Sequence, residues 1–220
     1  MKLTPGYLWG KILICTGALA LLASAAILTY NIWDNIRAAG SAARLTKLLS
    51  LQIEENRSNA VTETDAPDAV QSEGGLPPGS PEDDNEPADI PQFIEIDGER
   101  FIGILSIPAF QLDLPVNDSI DEARLKETPC RYAGTINNSL VIAGHNYRKH
   151  FNPISKLEKG ASVILTDAAG VTHLYKVEKT ETVNATDITL MLDNSYDLTL
   201  FTCNYTGRAR VAVRCLLQTP

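Results

Sequence analysis

Histidine and cysteine are scarce in this chain of 220 residues, which has three histidines and four cysteines. No set of them follows the spacing of a structural zinc site, and no acidic cluster in the folded part is typical of a calcium site. We therefore expect no metal and no cofactor. The chain also lacks a clustered basic face, which argues against a nucleic-acid-binding protein. It contains no internal repeat, so a repeat architecture is not expected.

Negative charge is concentrated in one segment. The formal net charge is −8, yet residues 54–99 contain fourteen acidic residues and one basic residue, Arg57. From residue 100 to the end there are thirteen basic and twelve acidic residues. The acidity therefore belongs to a segment before the folded part, and the folded part is close to neutral.

The N-terminal region contains an uncharged run of 22 residues, Ile12–Trp33, which is long enough to cross a bilayer as a helix. Two lysines precede it, which favours a cytoplasmic segment at 1–11 and an extracellular C-terminal part. A cleaved signal peptide is the alternative, because Ala23-Ser24-Ala25 resembles a cleavage site. Since the apolar run continues to Trp33, we predict an uncleaved, single-pass anchor in the cell membrane at residues 12–33.

Two further segments separate the anchor from the folded part. Leucines 45, 48 and 49 and Ile53 recur at helical spacing, which predicts a juxtamembrane helix over 34–56. Residues 57–92 are rich in proline, glycine, serine and acids and poor in large apolar residues. That composition predicts a disordered acidic linker that acts as a spacer, with an acidic binding tail as the less favoured alternative.

The folded domain is predicted at 93–220, and its pattern is all-β with short helices. Short helices fit SIDEARLKET, with Asp118 or Ser119 as the N-cap, and NPISKLEKG. Many short strands with few helices predict a closed or nearly closed β-barrel. The predicted strands are Arg100–Ile107, Leu112–Val116, Leu140–Gly144, Ser162–Thr166, His173–Thr182, Leu198–Thr202 and Arg210–Leu217.

The four cysteines have different environments in the sequence. Cys15 lies in the apolar run, whereas Cys130, Cys203 and Cys215 lie in the exported part, where an odd number leaves at least one free thiol. Cys203 stands where a strand meets a turn, a position that is both held and accessible. Cys215 follows the strand alternation of a core residue. A Cys130–Cys215 disulfide is a less favoured alternative.

A reactive cysteine needs a partner, since a free thiol titrates at about 8.5. His145 ends the apolar strand LVIAGH and holds a position similar to that of Cys203. His150 and His173 are interpreted as surface or structural residues.

Three arginines follow Cys203 within eleven residues, at positions 208, 210 and 214. A guanidinium placed opposite a developing oxyanion stabilises it. The alternative is that the three are solvated charges on an exposed strand face.

Four motifs in this order resemble the sortase family of membrane-anchored cysteine transpeptidases, found mainly in Gram-positive bacteria. TLFTC (199–203), AGHN (143–146), RVAV (210–213) and GILSIPAFQLDLPV (103–116) carry the resemblance. It implies an eight-stranded closed barrel with His145, Cys203 and Arg210 as catalytic residues. Cys203 would be the nucleophile, His145 the acid and base, and Arg210 the oxyanion-side or substrate-positioning residue. Arg208 is a weaker candidate for that last role.

The resemblance also implies a substrate class. A surface protein carrying an LPXTG-like sorting signal would be cleaved at a Thr–Gly bond through a thioacyl intermediate on Cys203. The acyl group would pass to an amine of a cell-wall precursor or a pilin. A class A- or D-like enzyme is favoured. The interval between His145 and Cys203 leaves little room for the long inserted helix of class B. The C-terminal membrane segment common in class C does not follow the last predicted strand, and the acidic segment lacks an evident aromatic lid motif.

Two alternatives remain open from the residues alone. The first is an exported cysteine peptidase that hydrolyses the same kind of intermediate. The second is a tethered barrel that binds a surface peptide, with Cys203 incidental. The strand-end cysteine that follows the histidine in sequence disfavours a papain-like enzyme.

Overall fold

The computed structural model describes residues 5–63, 93–204 and 207–218. Its first element is a single helix of 59 residues, α1 (Pro5–Glu63), about 90 Å long at 1.5 Å per residue. Within the described residues, one helical stretch, Trp9–Ser58, is long and apolar enough to cross a membrane, with a mean hydropathy of 2.3 in its most apolar window. None of that window is buried in the protein, which suits it to an apolar surrounding.

The second half of α1 packs against the barrel. Ala38, Ala42, Leu49 and Ile53 are at most 6% exposed, and their spacing places them on one helical face. The helix also includes residues 57–63 of the segment assigned to the linker from the sequence. The rest of that segment, 64–92, lies outside the described residues.

In the described residues, nine strands form one sheet. They are β1 (Ile94–Ile96), β2 (Glu99–Ile107), β3 (Leu112–Asn117), β4 (Cys130–Thr135), β5 (Asn138–Ala143), β6 (Ser162–Asp167), β7 (Thr172–Asn184), β8 (Leu198–Cys203) and β9 (Ala209–Leu217). Their order is β1-β2-β3-β4-β5-β8-β9-β7-β6. Two short helices, α2 (Glu122–Glu127) and α3 (Ile188–Met191), and two 3₁₀ turns, Pro108–Phe110 and Asn152–Lys156, lie in the connections.

Strand β2 closes the barrel because it pairs on both edges. Leu105 faces Leu114 of β3 and Leu165 of β6 in the two registers. Gly103 lies at a bulge there, with φ of 153°, and a Cβ at this position would stand 2.2 Å from the Thr166 carbonyl oxygen. Eight strands, β2–β9, therefore form a closed barrel with β1 added at its edge, which confirms the predicted fold class.

Alternation along the strands separates an interior from an outer face. Leu198, Leu200, Val213 and Cys215 point inward and join the main core. A fully buried leucine stabilises the folded state by about 1.5–3 kcal/mol relative to an exposed one. The alternate side chains of the same two strands point to the outer face. These are residues 199, 201 and 203 of β8 and residues 210, 212 and 214 of β9.

The sequence-based expectations need correction at α2. Its N-cap is Asp121, whose carboxylate accepts a hydrogen bond from the Arg124 backbone N–H. The predicted caps, Asp118 and Ser119, are wrong, because the Asp118 carboxylate is buried in ion pairs with Arg100 and Arg131 at 3.0 and 2.6 Å.

All four cysteines, which lie in the described residues, are free thiols. Cys130 and Cys215 are fully buried, and burial raises the pKa of each thiol to about 12. Both are therefore neutral packing residues at ordinary pH. Cys203 is the exposed thiol of the barrel.

Candidate active site

Cys203 and Arg210 face each other across a strand pair. Cys203 is the last residue of β8, and the antiparallel register places it directly opposite Arg210 of β9. Facing residues in such a pair have Cβ atoms about 5 Å apart on the same face. Thr202, by contrast, points inward and is 3% exposed.

His145 reaches the same end of the barrel from the neighbouring strand. Strand β5 runs parallel to β8 with Ala143 beside Phe201, and the Gly144 N–H donates to the Phe201 carbonyl at 2.9 Å. His145 comes two residues after Ala143, and Cys203 comes two residues after Phe201. Because adjacent strands are about 4.8 Å apart, His145, which follows the end of β5, lies at the same end of the barrel as Cys203 of β8 and Arg210 of β9.

Gly144 allows the turn that presents His145. A Cβ at this position would stand 2.3 Å from Cγ of Phe151, whose ring is fully buried. The Phe151 N–H donates back to the His145 carbonyl at 3.2 Å. The glycine therefore lets the loop after His145 fold back against the strand end.

The imidazole of His145 is half-buried, and its surroundings act on its charge in opposite directions. Burial lowers its pKa from the ordinary value, while the charge of Asp34 in α1 raises it. The Nδ1 atom is buried and has no hydrogen-bond partner among the described residues. One ring face lies against the ring of Tyr147, with centroids 3.9 Å apart.

The three arginines after Cys203 have distinct positions. Arg210 is half-buried and donates from Nη1 to the Gly207 carbonyl at 3.3 Å. Arg208 is exposed in the turn. Arg214 is only 1% exposed and binds Glu181 at 2.9 Å, Thr199 at 3.1 Å and the carbonyls of α3. The interpretation of all three as solvated charges is therefore wrong for Arg214, which holds α3 against the sheet.

The other two histidines are structural. His150 is fully buried, and burial lowers its pKa to about 4. His173 pairs through Nε2 with Asp167 at 2.9 Å between β6 and β7.

Sequence reasoning missed an apolar surface beside the three residues. Phe201, on the same face as Cys203, packs with Met191 of α3 and Ala212, and the Tyr132 ring meets it edge-on at 5.2 Å. Tyr132, Ile188 and Leu190 are 39%, 55% and 48% exposed. The apolar run ITLML at 188–192, set among polar residues, was the signal for this surface.

A cleft of about 580 Å³ lies elsewhere, between α1, the β1–β2 hairpin and α2. Arg44, Asp97, Glu99 and Arg124 contribute to its lining, and none of His145, Cys203 and Arg210 does. The three therefore lie outside this cleft.

The fold and the site define a closed β-barrel that carries a thiol, an imidazole and a guanidinium at one of its ends. A family model for the sortase domain matches residues 105–218, just over half of the chain. The chain therefore belongs to the sortase family, whose members are cysteine transpeptidases. A comparison with curated proteins finds no significant match.

Solved structures of sortases resemble this chain. Sortase A of Listeria monocytogenes is 23% identical, with a TM-score of 0.50, over 54% of this chain and 88% of its own. The sortase D5 transpeptidase of Clostridium perfringens is 19% identical, with a TM-score of 0.49, over 54% and 79%. Sortase C1 of Streptococcus suis is 20% identical, with a TM-score of 0.49, over 55% and 74%. At this identity the likeness to sortase A shows the shared fold.

Proposed function

We propose that this protein is a membrane-anchored transpeptidase that cleaves an LPXTG-like sorting signal of a surface protein at its Thr–Gly bond. The observation that supports the proposal is that His145, just past the end of β5, stands at the same end of the barrel as Cys203 of β8 and Arg210 of β9. The N-terminal apolar helix supports a single-pass anchor, with the N-terminus in the cytoplasm and the barrel outside.

In the first half-reaction the Cys203 thiolate attacks the threonine carbonyl carbon, and the carbonyl oxygen becomes an oxyanion. Arg210, opposite Cys203, stabilises this oxyanion or orients the substrate backbone. Protonated His145 then donates a proton to the departing glycine amine as the C–N bond breaks. The products are a thioester on Cys203, a free amine and neutral His145.

In the second half-reaction an amine of a cell-wall precursor or a pilin attacks the thioester carbonyl. Neutral His145 accepts the proton from that amine, and the C–S bond breaks to return the Cys203 thiolate. A new amide bond forms, and no oxidant or metal is needed for the balance. The apolar surface at Tyr132, Phe201 and Ile188 offers contacts for the apolar residues of the signal.

The thioacyl step is tested by intact-mass measurement on the full chain in detergent. A peptide with an LPXTG-type motif is expected to add its acyl part to the parent protein, and peptide mapping is expected to place it on Cys203. Cys203→Ala is expected to show no adduct, whereas Cys15→Ala, which removes a thiol from the anchor, is expected to behave as the parent. An adduct on Cys203→Ala would contradict the proposal.

A further inference from the structure

Tyr147 lies against the imidazole of His145. The two ring centroids are 3.9 Å apart with an interplanar angle of 22°, a stacked arrangement. The Tyr147 backbone is held in place, since its N–H donates to the His145 carbonyl at 2.8 Å and its carbonyl accepts from His150 and Asn152 at 3.0 and 3.1 Å. The phenol ring therefore covers one face of His145 and restricts its rotation.

The hydroxyl of Tyr147 is bound by the membrane helix. It donates to Oδ2 of Asp34 at 2.5 Å across 113 residues of sequence. Hydrogen bonds to a carboxylate are about twice as strong as those between neutral groups. Burial and the neighbouring carboxylate raise the pKa of Tyr147 to about 12, so it remains a neutral donor. Asp34 is the first charged residue after the run Ile12–Trp33.

Helix α1 packs closely against the loop that follows His145. Ala38 and Ala42, one and two turns beyond Asp34, are 4% and 3% exposed. The fully buried His150 ring lies against the Ala38 backbone and meets the Tyr147 ring at 5.6 Å. Small side chains on the helix permit this close approach. The position of Asp34 relative to Tyr147 is therefore set by the docked helix and not by one surface side chain.

His145 receives its orientation from this packing. In many catalytic sites an acceptor on the second ring nitrogen holds the imidazole. Here Nδ1 has no such partner among the described residues, and the stacked Tyr147 ring is the contact that defines the ring plane. Burial and the charge of Lys126 in α2 lower the pKa of His145, and the negative charge of Asp34 opposes them. Asp34 therefore favours the protonated imidazole, the form that donates to the leaving amine.

We propose that Tyr147 and Asp34 are positioning residues for His145, so that the helix leaving the membrane completes the active site. The inference rests on the proposed function for its kinetic consequence. Its structural core, the control of His145 by Asp34 through Tyr147, is independent of the substrate.

The test uses the full chain in nanodiscs, with Tyr147→Phe, Asp34→Asn, Asp34→Ala and the double variant Tyr147→Phe/Asp34→Ala. Arg44→Ala is the matched control, because it removes an exposed pairing of the same helix with Asp97 away from His145. Two readouts are taken: the titration midpoint of His145 by NMR, and kcat and KM for thioacyl formation from an LPXTG-type peptide.

We expect Asp34→Asn and Asp34→Ala to lower the His145 midpoint, because the carboxylate that favours imidazolium is lost. We expect kcat to fall about tenfold in Asp34→Ala and Tyr147→Phe, a part of the 10²–10⁴-fold that a positioned acid and base supplies. KM is expected to change less than twofold. The double variant is expected to lose no more than Asp34→Ala alone, because Tyr147→Phe breaks only the hydrogen bond that Asp34→Ala already removes.

The inference is overturned if the Asp34 variants and Tyr147→Phe match Arg44→Ala in both the NMR midpoint and kcat. Additive losses in the double variant would also overturn it. If the parent does not turn over the peptide, the proposed function fails. The NMR midpoint then still decides the inference: a shift in the Asp34 variants but not in Arg44→Ala supports it, and an unchanged midpoint overturns it.

Discussion

His145 and His150 differ in how deeply their rings are buried, and burial disfavours the protonated, charged form. His145 is half-buried at the strand edge, whereas His150 is fully buried between Tyr147 and Ala38 of α1. Neither ring nitrogen of His150 has a hydrogen bond of regular geometry to a described residue. Burial outweighs the contact with the Ala38 backbone, which favours the protonated ring, so the neutral ring is the form that packs there.

This difference predicts a pH dependence of stability. Burial lowers the pKa of His150 from 6.5 to about 4, so between these values the unfolded chain binds the proton more readily. The stability is fully present above pH 6.5 and is lost as the pH falls toward 4, by about 2 kcal/mol between pH 7 and 5. Chemical denaturation at both pH values measures it. His150→Asn is expected to have a smaller loss, and an equal loss would show that His150 does not titrate this way.

Gly144 gives a second prediction at the residue scale. Gly144→Ala places a methyl group 2.3 Å from the Phe151 ring, so we expect the folded state to lose about 1–3 kcal/mol, as for other overpacked sites. Ligation activity is expected to fall because His145 follows directly. Gly40→Ala is the matched control, since a Cβ there meets nothing within 4 Å. Equal stability of the two variants in thermal unfolding would contradict the packing account.

Strands in which buried and exposed side chains alternate clearly could be predicted from the sequence. Elements that depend on contacts between distant residues could not. Strands β2, β8 and β9 follow the predicted ranges because their inward residues alternate. Strand β1 has three residues and β4 contains Gly134 among half-buried positions, so neither has a clear period. Helix α3 exists through tertiary bonds to Arg214, which no local pattern reveals. Cys203 and His145 were readable as strand-end residues because an apolar run stops just before each of them, whereas the expectation that their strands and the strand of Arg210 meet came from the resemblance to sortases.

The contacts of Arg214 with helix α3 give a prediction about stability. Arg214→Met removes the guanidinium that binds Glu181, Thr199 and the α3 carbonyls. We expect a loss of about 2–3 kcal/mol, the range for buried hydrogen bonds to a charged group. Arg208→Met, at an exposed position, is expected to change stability by less than about 0.5 kcal/mol. Equal values for the two variants in urea denaturation would refute the anchoring role of Arg214.

On the scale of the whole molecule, the barrel and the helix α1 form one packed unit. Leu49 and Ile53 of α1 share a core with Ile94, Ile96 and Phe101. The helical spacing of the leucines predicted an amphipathic helix. It did not identify the partner surface, because any apolar face satisfies the same pattern. The described contact places His145 next to the part of α1 that follows the apolar run.

The packing of α1 on the barrel is tested by comparing alanine variants of one buried and one exposed leucine. Leu49→Ala is expected to destabilise the full chain by about 2–4 kcal/mol, because it opens a cavity at a fully buried site. Leu51→Ala, at a position 62% exposed, is expected to have little effect. Thermal unfolding of both variants in the same detergent makes the comparison. Equal unfolding temperatures would mean that α1 does not pack on the barrel.

Transpeptidation through Cys203 is tested most directly by ligation. The full chain in nanodiscs is incubated with an LPXTG-type peptide and triglycine, and the products are identified by mass spectrometry. We expect a peptide–triglycine product from the parent and from Cys15→Ala. We expect none from Cys203→Ala and at least about 100-fold less from His145→Ala and Arg210→Ala. Cleavage without ligation at high triglycine, or ligation by Cys203→Ala, would contradict transpeptidation through Cys203.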